Sequence, residues 1–147
     1  MGVLNQVHAA VGTEKLAESV AGIAPYFNTI DAKFTIIEDC YAEALLKNET
    51  KVQNHLVTVH AIAMCNLVEL VGGSLIDLSL PEGRIWIPQE MNVQYLAKAK
   101  SDLRAVCDLR DTDMSIEGVI PVVVDIYDTD DIKVLHAVVS MNVKVIG

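Results

Sequence analysis

From Val59 to Leu78 the chain is apolar at nearly every position, with His60, Asn66, Glu69, Ser74 and Asp77 as its polar interruptions. A run of this length without a polar face predicts a helix over about residues 59 to 79, buried on all sides, which a strand layer must wrap. Thr58 or Asn54 is available to cap it, and Gly72-Gly73 stands where its backbone must approach something closely. Pro81-Glu82-Gly83 ends it.

Upstream, residues 3 to 22 carry the spacing of an amphipathic helix, broken near Gly12-Thr13, where the threonine can cap a second part beginning at Glu14. Gly22 and Pro25 close that helix. Residues 27 to 38 and 41 to 48 then read as two strands, with Ile30, Ala32, Phe34 and Ile36 alternating against Thr29, Asp31, Lys33 and Thr35, and Asp39-Cys40 as their turn. Downstream, residues 85 to 99, 102 to 110, 117 to 127 and 132 to 146 read as four more strands. Asp128-Thr129-Asp130-Asp131 is the turn between the last two, its carboxylates suited to local backbone hydrogen bonds. No repeat or linker interrupts the pattern, which predicts one domain across residues 1 to 147. The order of elements predicts an α+β fold: a curled antiparallel sheet of about six strands around a long central helix, with an N-terminal helix outside it. This is the hotdog arrangement.

Composition sharpens the picture in two ways. Hydrophobic residues make up 52% of the chain and charged ones only 21%, which excludes disorder and predicts apolar surface shared with another copy, hence a homo-oligomer, dimer or tetramer. The net charge of −9 argues against a nucleic-acid partner and against an anionic membrane surface, both of which need a clustered basic face. The central helix is nearly long enough to span a bilayer, but Asn66, Glu69 and Asp77 are expensive in hydrocarbon. The N-terminus lacks a basic region, and Asn5, Gln6 and His8 interrupt any apolar leader. Cys40, Cys65 and Cys107 are an odd count without metal-ligand spacing; they read as reduced core thiols of a cytoplasmic protein.

One carboxylate needs an explanation of its own. Glu69 lies among Leu67, Val68, Leu70 and Val71, and burying an unpaired carboxylate costs several kcal/mol or forces its protonation, so it has a partner or a task. Nine residues of helix place His60 and Glu69 on opposite sides, about 13.5 Å apart along the axis. One chain's pair cannot grip a single carbonyl group; if both act, they meet across a two-fold axis between subunits. The same geometry defeats a metal site built from His55, His60 and Glu69, and no metal is expected.

The pattern Asn54, five residues, His60, eight residues, Glu69 resembles the hotdog-fold acyl-CoA thioesterases of the phenylacetate-pathway type, in a branch with His-Ala where that family has His-Gly. The run Met91-Asn92-Val93-Gln94-Tyr95-Leu96 followed by Lys98 and Lys100 is similar to the family's third strand and exit loop, and the resemblance covers most of the chain from Phe27 onward. Three positions depart from the pattern. Val57 stands where the family has Gly, Ala61-Ile62 replace Gly-Gly, and Gly73 occupies a place where some relatives carry a hydroxyl, with Ser74 turned about 100° away.

The resemblance implies thioester hydrolysis to a free acid and coenzyme A, with acyl-CoA as substrate and no separate cofactor. It implies the Ala61 backbone N–H as oxyanion donor at a helix N-terminus, with Asn54 and His60 shaping the pocket. Glu69 is then nucleophile or general base, raised in pKa by apolar neighbours and steadied by Asn66 one turn earlier. Lys98, Lys100 and Arg104, with Arg84 as a further candidate, form the main basic concentration and suit the coenzyme A phosphates. Gly73 lies one turn beyond Glu69, and Tyr95 and Trp86 are candidates to line the acyl or pantetheine tunnel. A non-catalytic acyl-CoA or acyl-carrier binding module of the same fold is the alternative reading.

Overall fold

The computed structural model describes residues 3–146; Met1, Gly2 and Gly147 lie outside the described residues. Helices α1 (Val3–Val11) and α2 (Thr13–Ile23) precede strands β1 (Lys33–Glu38) and β2 (Tyr41–Leu46), the long helix α3 (Ala61–Ser79), and strands β3 (Arg84–Tyr95), β4 (Leu103–Asp108), β5 (Gly118–Tyr127) and β6 (Lys133–Val145). The strands form one antiparallel sheet in the order β1-β2-β4-β5-β6-β3. The sheet curls around α3, giving the hotdog architecture that the element order predicts.

Alternation along the strands supplies the wall around α3. Ala42, Ala44 and Leu46, then Leu103, Ala105 and Cys107, then Ile120, Val122, Val124 and Ile126 are all at most 1% exposed. Each large aliphatic among them contributes roughly 1.5–3 kcal/mol on burial. α3 answers with Leu67, Val68, Val71 and Leu75, all fully buried. It approaches the sheet closely at two points: a Cβ at Gly72 would lie 3.2 Å from Val122 Cγ1 and 3.4 Å from Val124 Cγ2, and one at Gly73 would lie 3.0 Å from Trp86 Cη2. The expected close approach is therefore real, toward β5 at Gly72 and toward β3 at Gly73.

Several boundaries differ from the sequence reading for local reasons. Residues 27 to 29 are not strand: Pro25 opens a 3₁₀ turn, Pro25–Thr29, because its fixed φ suits a helical start. Alternation then holds through Ile30, Ala32 and Phe34, but a bulge between Phe34 and Ile36 turns Ile36 outward, 38% exposed, and puts Ile37 in the core at 4%. Gly12, at φ +81, occupies the cap position of α2, and Thr13 is its first residue rather than its cap. Neither Thr58 nor Asn54 caps α3; His60 does. The two turns at Asp39-Cys40 and 128–131 stand as expected, the second closed by Asp128 Oδ1 accepting from the Asp130 and Ile132 amides at 2.9 Å each.

The central helix is also less enclosed than expected. α3 is long and apolar enough to cross a bilayer, yet 67% of that stretch is buried inside the fold, and beyond its two ends the remainder falls on one side. That side runs through Ile62, Cys65, Glu69 and Asp77, all at least partly exposed, at the three- and four-residue spacing of a single helix face. α1 lies over its far end, where Asn5 Nδ2 donates to the Leu78 carbonyl at 2.8 Å, and α2 packs on β1 and α1. Of the three cysteines, Cys107 is a core thiol, pushed up to about 12 by burial first and then by Asp108 and other neighbours. Cys40 and Cys65 are only partly buried, which corrects the expectation of three core thiols. β3 pairs with β6 along one side and has no strand neighbour on the other among the described residues, and none of its twelve residues is buried.

Candidate functional site

The start of α3 is built by a compact turn. Gln53 and Val59 form an antiparallel bridge, and between them Asn54 Oδ1 accepts from the Leu56 and Thr58 amides at 2.9 and 3.2 Å while its Nδ2 lies 2.8 Å from the Thr58 hydroxyl. Asn54 therefore spends its polar atoms holding this turn. Val57, where the related pattern has glycine, sits at φ +62, a left-handed conformation costing a β-branched residue roughly 1–2 kcal/mol. The turn keeps the glycine geometry without the glycine.

Two backbone bonds fasten the helix entry: Val59 N–H donates to Ala99 O at 2.9 Å and His60 N–H to Val52 O at 2.7 Å. His60 is extended at φ −63, ψ 139, and its Nδ1 accepts from the Ile62 amide at 3.0 Å. This bond requires Nδ1 to be unprotonated. Among the described residues the Ala61 N–H has no acceptor. It is one of the helix's free donors, at the positive end of the macrodipole.

Lys98 and Lys100 flank Ala99, so the Val59–Ala99 bond brings both to this helix end. Both are exposed, and neither side chain has an ion-pair partner among the described residues. Arg104 is elsewhere and engaged: its guanidinium meets Glu43 at 2.8 Å and Asp131 at 3.3 Å and lies 5.0 Å from the Tyr127 ring centre. Arg84 Nη1 donates to the Ile116 carbonyl at 3.1 Å. Lys98 and Lys100 are thus the cations of the sequence-derived set left available at the helix start.

Glu69 occupies a different cavity, of about 360 Å³, lined by Val3, Leu4, Val20, Ile23, Phe27, Gly73 and Trp86 among others. It makes no hydrogen bond or ion pair among the described residues, and burial raises its pKa above the ordinary glutamate value. Asn66 does not steady it. The Asn66 Nδ2 donates to Thr29 Oγ1 at 2.8 Å, whose hydroxyl donates to the Tyr26 carbonyl at 2.8 Å. Because that carbonyl only accepts, the relay fixes the amide's orientation and leaves Asn66 Oδ1 buried without a partner. Asn66 shares a small recess of about 160 Å³ with His60, Gln53 and Lys51. The recess and the Glu69 cavity have no lining residue in common.

The remaining candidates divide between the two places. Gly73 lines the Glu69 cavity. Tyr95 lies outside it, 53% exposed, with its hydroxyl 3.4 Å from Cys65 Sγ; that contact, then burial, raises its pKa. The contact between Trp86 and Asp77 at 2.9 Å, and the contribution of α1 and α2 to the cavity, were not read from the sequence. Asp77 stands two turns, eight residues, after Glu69 on the same helix face, and that spacing was the available signal. No group of three metal-ligating side chains occurs among the described residues.

Comparison with known proteins sets this geometry in context. No curated protein matches the chain. A genomics crystal structure that carries no functional name superimposes with a TM-score of 0.86 at 40% identity, covering 96% of this chain and 95% of that one. A Pseudomonas aeruginosa protein described as a probable thioesterase has TM-score 0.77 at 18% identity, over 90% and 93% of the two chains. A hypothetical thioesterase from Streptococcus pneumoniae, crystallised with coenzyme A, has TM-score 0.66 at 16% identity, over 78% and 87%. The last two likenesses establish the fold. Residues 12–143 match the family described as "Domain of unknown function (DUF4442)", and with a 40% identical structure across nearly the whole length, the chain belongs to that family and is built on the hotdog fold of the thioesterases.

Proposed function

We propose that this protein is an acyl-CoA thioesterase whose site is completed by two copies of the chain. The observation that carries the proposal is Glu69: a carboxylate without a polar partner among the described residues, raised in pKa, opening into an apolar cavity large enough for an acyl group. A carboxylate kept this way pays a desolvation cost for which no structural partner compensates, and groups so perturbed concentrate at functional sites.

In the proposed reaction the thioester carbonyl oxygen takes the Ala61 N–H of one copy as it becomes an oxyanion. Glu69 of the other copy either attacks the carbonyl carbon, forming an anhydride that a water molecule then hydrolyses to regenerate the carboxylate, or takes a proton from the attacking water and passes it to the departing sulfur. The carbon–sulfur bond breaks, coenzyme A leaves as the thiol and the acyl group leaves as the acid. Lys98 and Lys100 meet the nucleotide phosphates at the same helix end. Support for pairing comes from β3, a twelve-residue strand with an unpaired edge and with Ile85, Ile87 and Tyr95 all more than 40% exposed, which natural proteins normally cover. The coenzyme A held by the streptococcal protein of the same fold is compatible with this substrate.

A thiol-release screen across acyl-CoA chain lengths and aryl-CoA thioesters tests the proposal. Turnover of at least one substrate is expected. A second reading, a binding module without turnover, is favoured by the engagement of Asn54 in its turn and of His60 Nδ1 in the cap. It requires tight acyl-CoA binding with no thiol released from any substrate.

A further inference from the structure

Trp86 forms one wall of the Glu69 cavity. Glu69, Gly73 and Asp77 succeed one another at four-residue intervals along one face of α3, each step covering about 6 Å of axis. All three line the cavity, together with Trp86. The indole is fixed at both edges. Its Nε1–H donates to Asp77 Oδ1 at 2.9 Å, and its far edge lies against the bare backbone of Gly73, where a Cβ would stand 3.0 Å from Cη2, 3.6 Å from Cζ2 and 3.8 Å from Cζ3. A Cβ at 3.0 Å would force the ring to move, so glycine permits the seating. The partly buried indole lies across the helix face one turn beyond the carboxylate.

We propose that Trp86, held by Asp77 and seated on Gly73, is the wall that closes the acyl end of this cavity and restricts the protein to short or compact acyl groups. The inference rests on the reading that the acyl group lies beside Glu69. A straight chain whose carbonyl sits at Glu69 meets the indole within about one helical turn, and further methylenes gain no apolar burial beyond that point. Asp77 is a positioning residue here, acting through the indole and not on substrate.

The test uses S-alkyl-coenzyme A thioethers from butyl to dodecyl, which bind as substrates do but have no carbonyl to hydrolyse. Affinity is measured by calorimetry, and Trp86, the only tryptophan in the chain, reports occupancy of the cavity by its fluorescence. In the parent protein affinity is expected to rise about fourfold per added methylene at short lengths, then stop rising and fall by at least ~10-fold at dodecyl. Trp86→Ala moves the break to longer chains. Asp77→Leu does the same with the tryptophan retained, so the proposal stays testable if the alanine variant does not fold, whereas Asp77→Asn keeps an acceptor for the indole and keeps the parental profile. A profile without a break, or one unchanged in both Trp86→Ala and Asp77→Leu, overturns the wall, as does a failure of every thioether to bind. Thiol release is read separately: a chain-length break without hydrolysis of any acyl-CoA removes the hydrolase reading and leaves the wall standing.

Discussion

Replacing Ala61 by proline removes one N–H and little else. Ala61 is the first residue of α3, the position at which proline's fixed φ is already helical and its missing donor has no intrahelical acceptor to lose. His60 before it is extended at ψ 139, which a following proline requires. His60 Nδ1 caps Ile62 rather than Ala61, so the cap survives. Stability is therefore expected to stay within about 0.5 kcal/mol of the parent, the usual range for substitutions that disturb no packing. Activity is another matter. If the Ala61 N–H is the oxyanion donor, its loss costs about 10²–10³-fold in kcat, roughly 2.7–4 kcal/mol of transition-state stabilisation, with KM little changed because the bond strengthens only as charge develops. The assay is steady-state thiol release beside a calorimetric Tm. A variant of parental Tm and parental kcat would remove Ala61 from the mechanism.

Other outcomes follow from the same geometry. His60→Ala removes the cap and should cost about 1 kcal/mol, or 2–4 °C in Tm for a chain of this size, whereas His60→Asn restores a capping oxygen; if the asparagine variant recovers Tm but not kcat, the imidazole acts beyond capping. Lys98→Glu with Lys100→Glu should raise KM for acyl-CoA at least ~10-fold and leave KM for a short thioester without the nucleotide unchanged, because phosphate contacts supply remote binding energy; equal effects on both substrates make these lysines ordinary surface charge. For Glu69 the sign follows from its raised folded pKa. Folded and unfolded states are both protonated below the ordinary glutamate range, and the ionisation penalty appears as pH rises from that range through the raised folded value. Glu69→Gln should therefore have a higher Tm than the parent at pH 7.5 and the same Tm at about pH 3.5, while parental thiol release falls on acidification with a midpoint above the ordinary glutamate value.

The wrapped helix and its strands were legible because two periodicities, continuous apolar in the helix and alternating in the strands, are written directly in residue order. What escaped depends on chain geometry that hydrophobicity does not encode. The bulge that exchanges Ile36 for Ile37 adds a residue without changing composition. His60 is a weak capping residue by propensity, and it caps because the Gln53–Val59 turn delivers it there. That one chain cannot bring His60 and Glu69 to the same group needed only helix rise and rotation, and the two line separate cavities. Arg104 shows the limit of counting charge: its partners Glu43 and Asp131 are 61 and 27 positions away, and only the sheet brings them together. Asn66 fails as a neighbour of Glu69 for the same reason, since Thr29 reaches it from the 3₁₀ turn.

The central claim is that one copy supplies Glu69 and the other the Ala61 N–H, and subunit complementation tests it most directly. Glu69→Gln and Ala61→Pro variants, each inactive alone, are co-expressed or refolded together in equal amounts and assayed for thiol release. Random pairing makes half of the dimers mixed, and in each of these one of the two sites joins an intact Glu69 to an intact Ala61, so activity should return to about one quarter of the parental value. If the site belongs to a single chain, every site in the mixture carries one lesion and activity stays at the level of the separate variants, which contradicts the account.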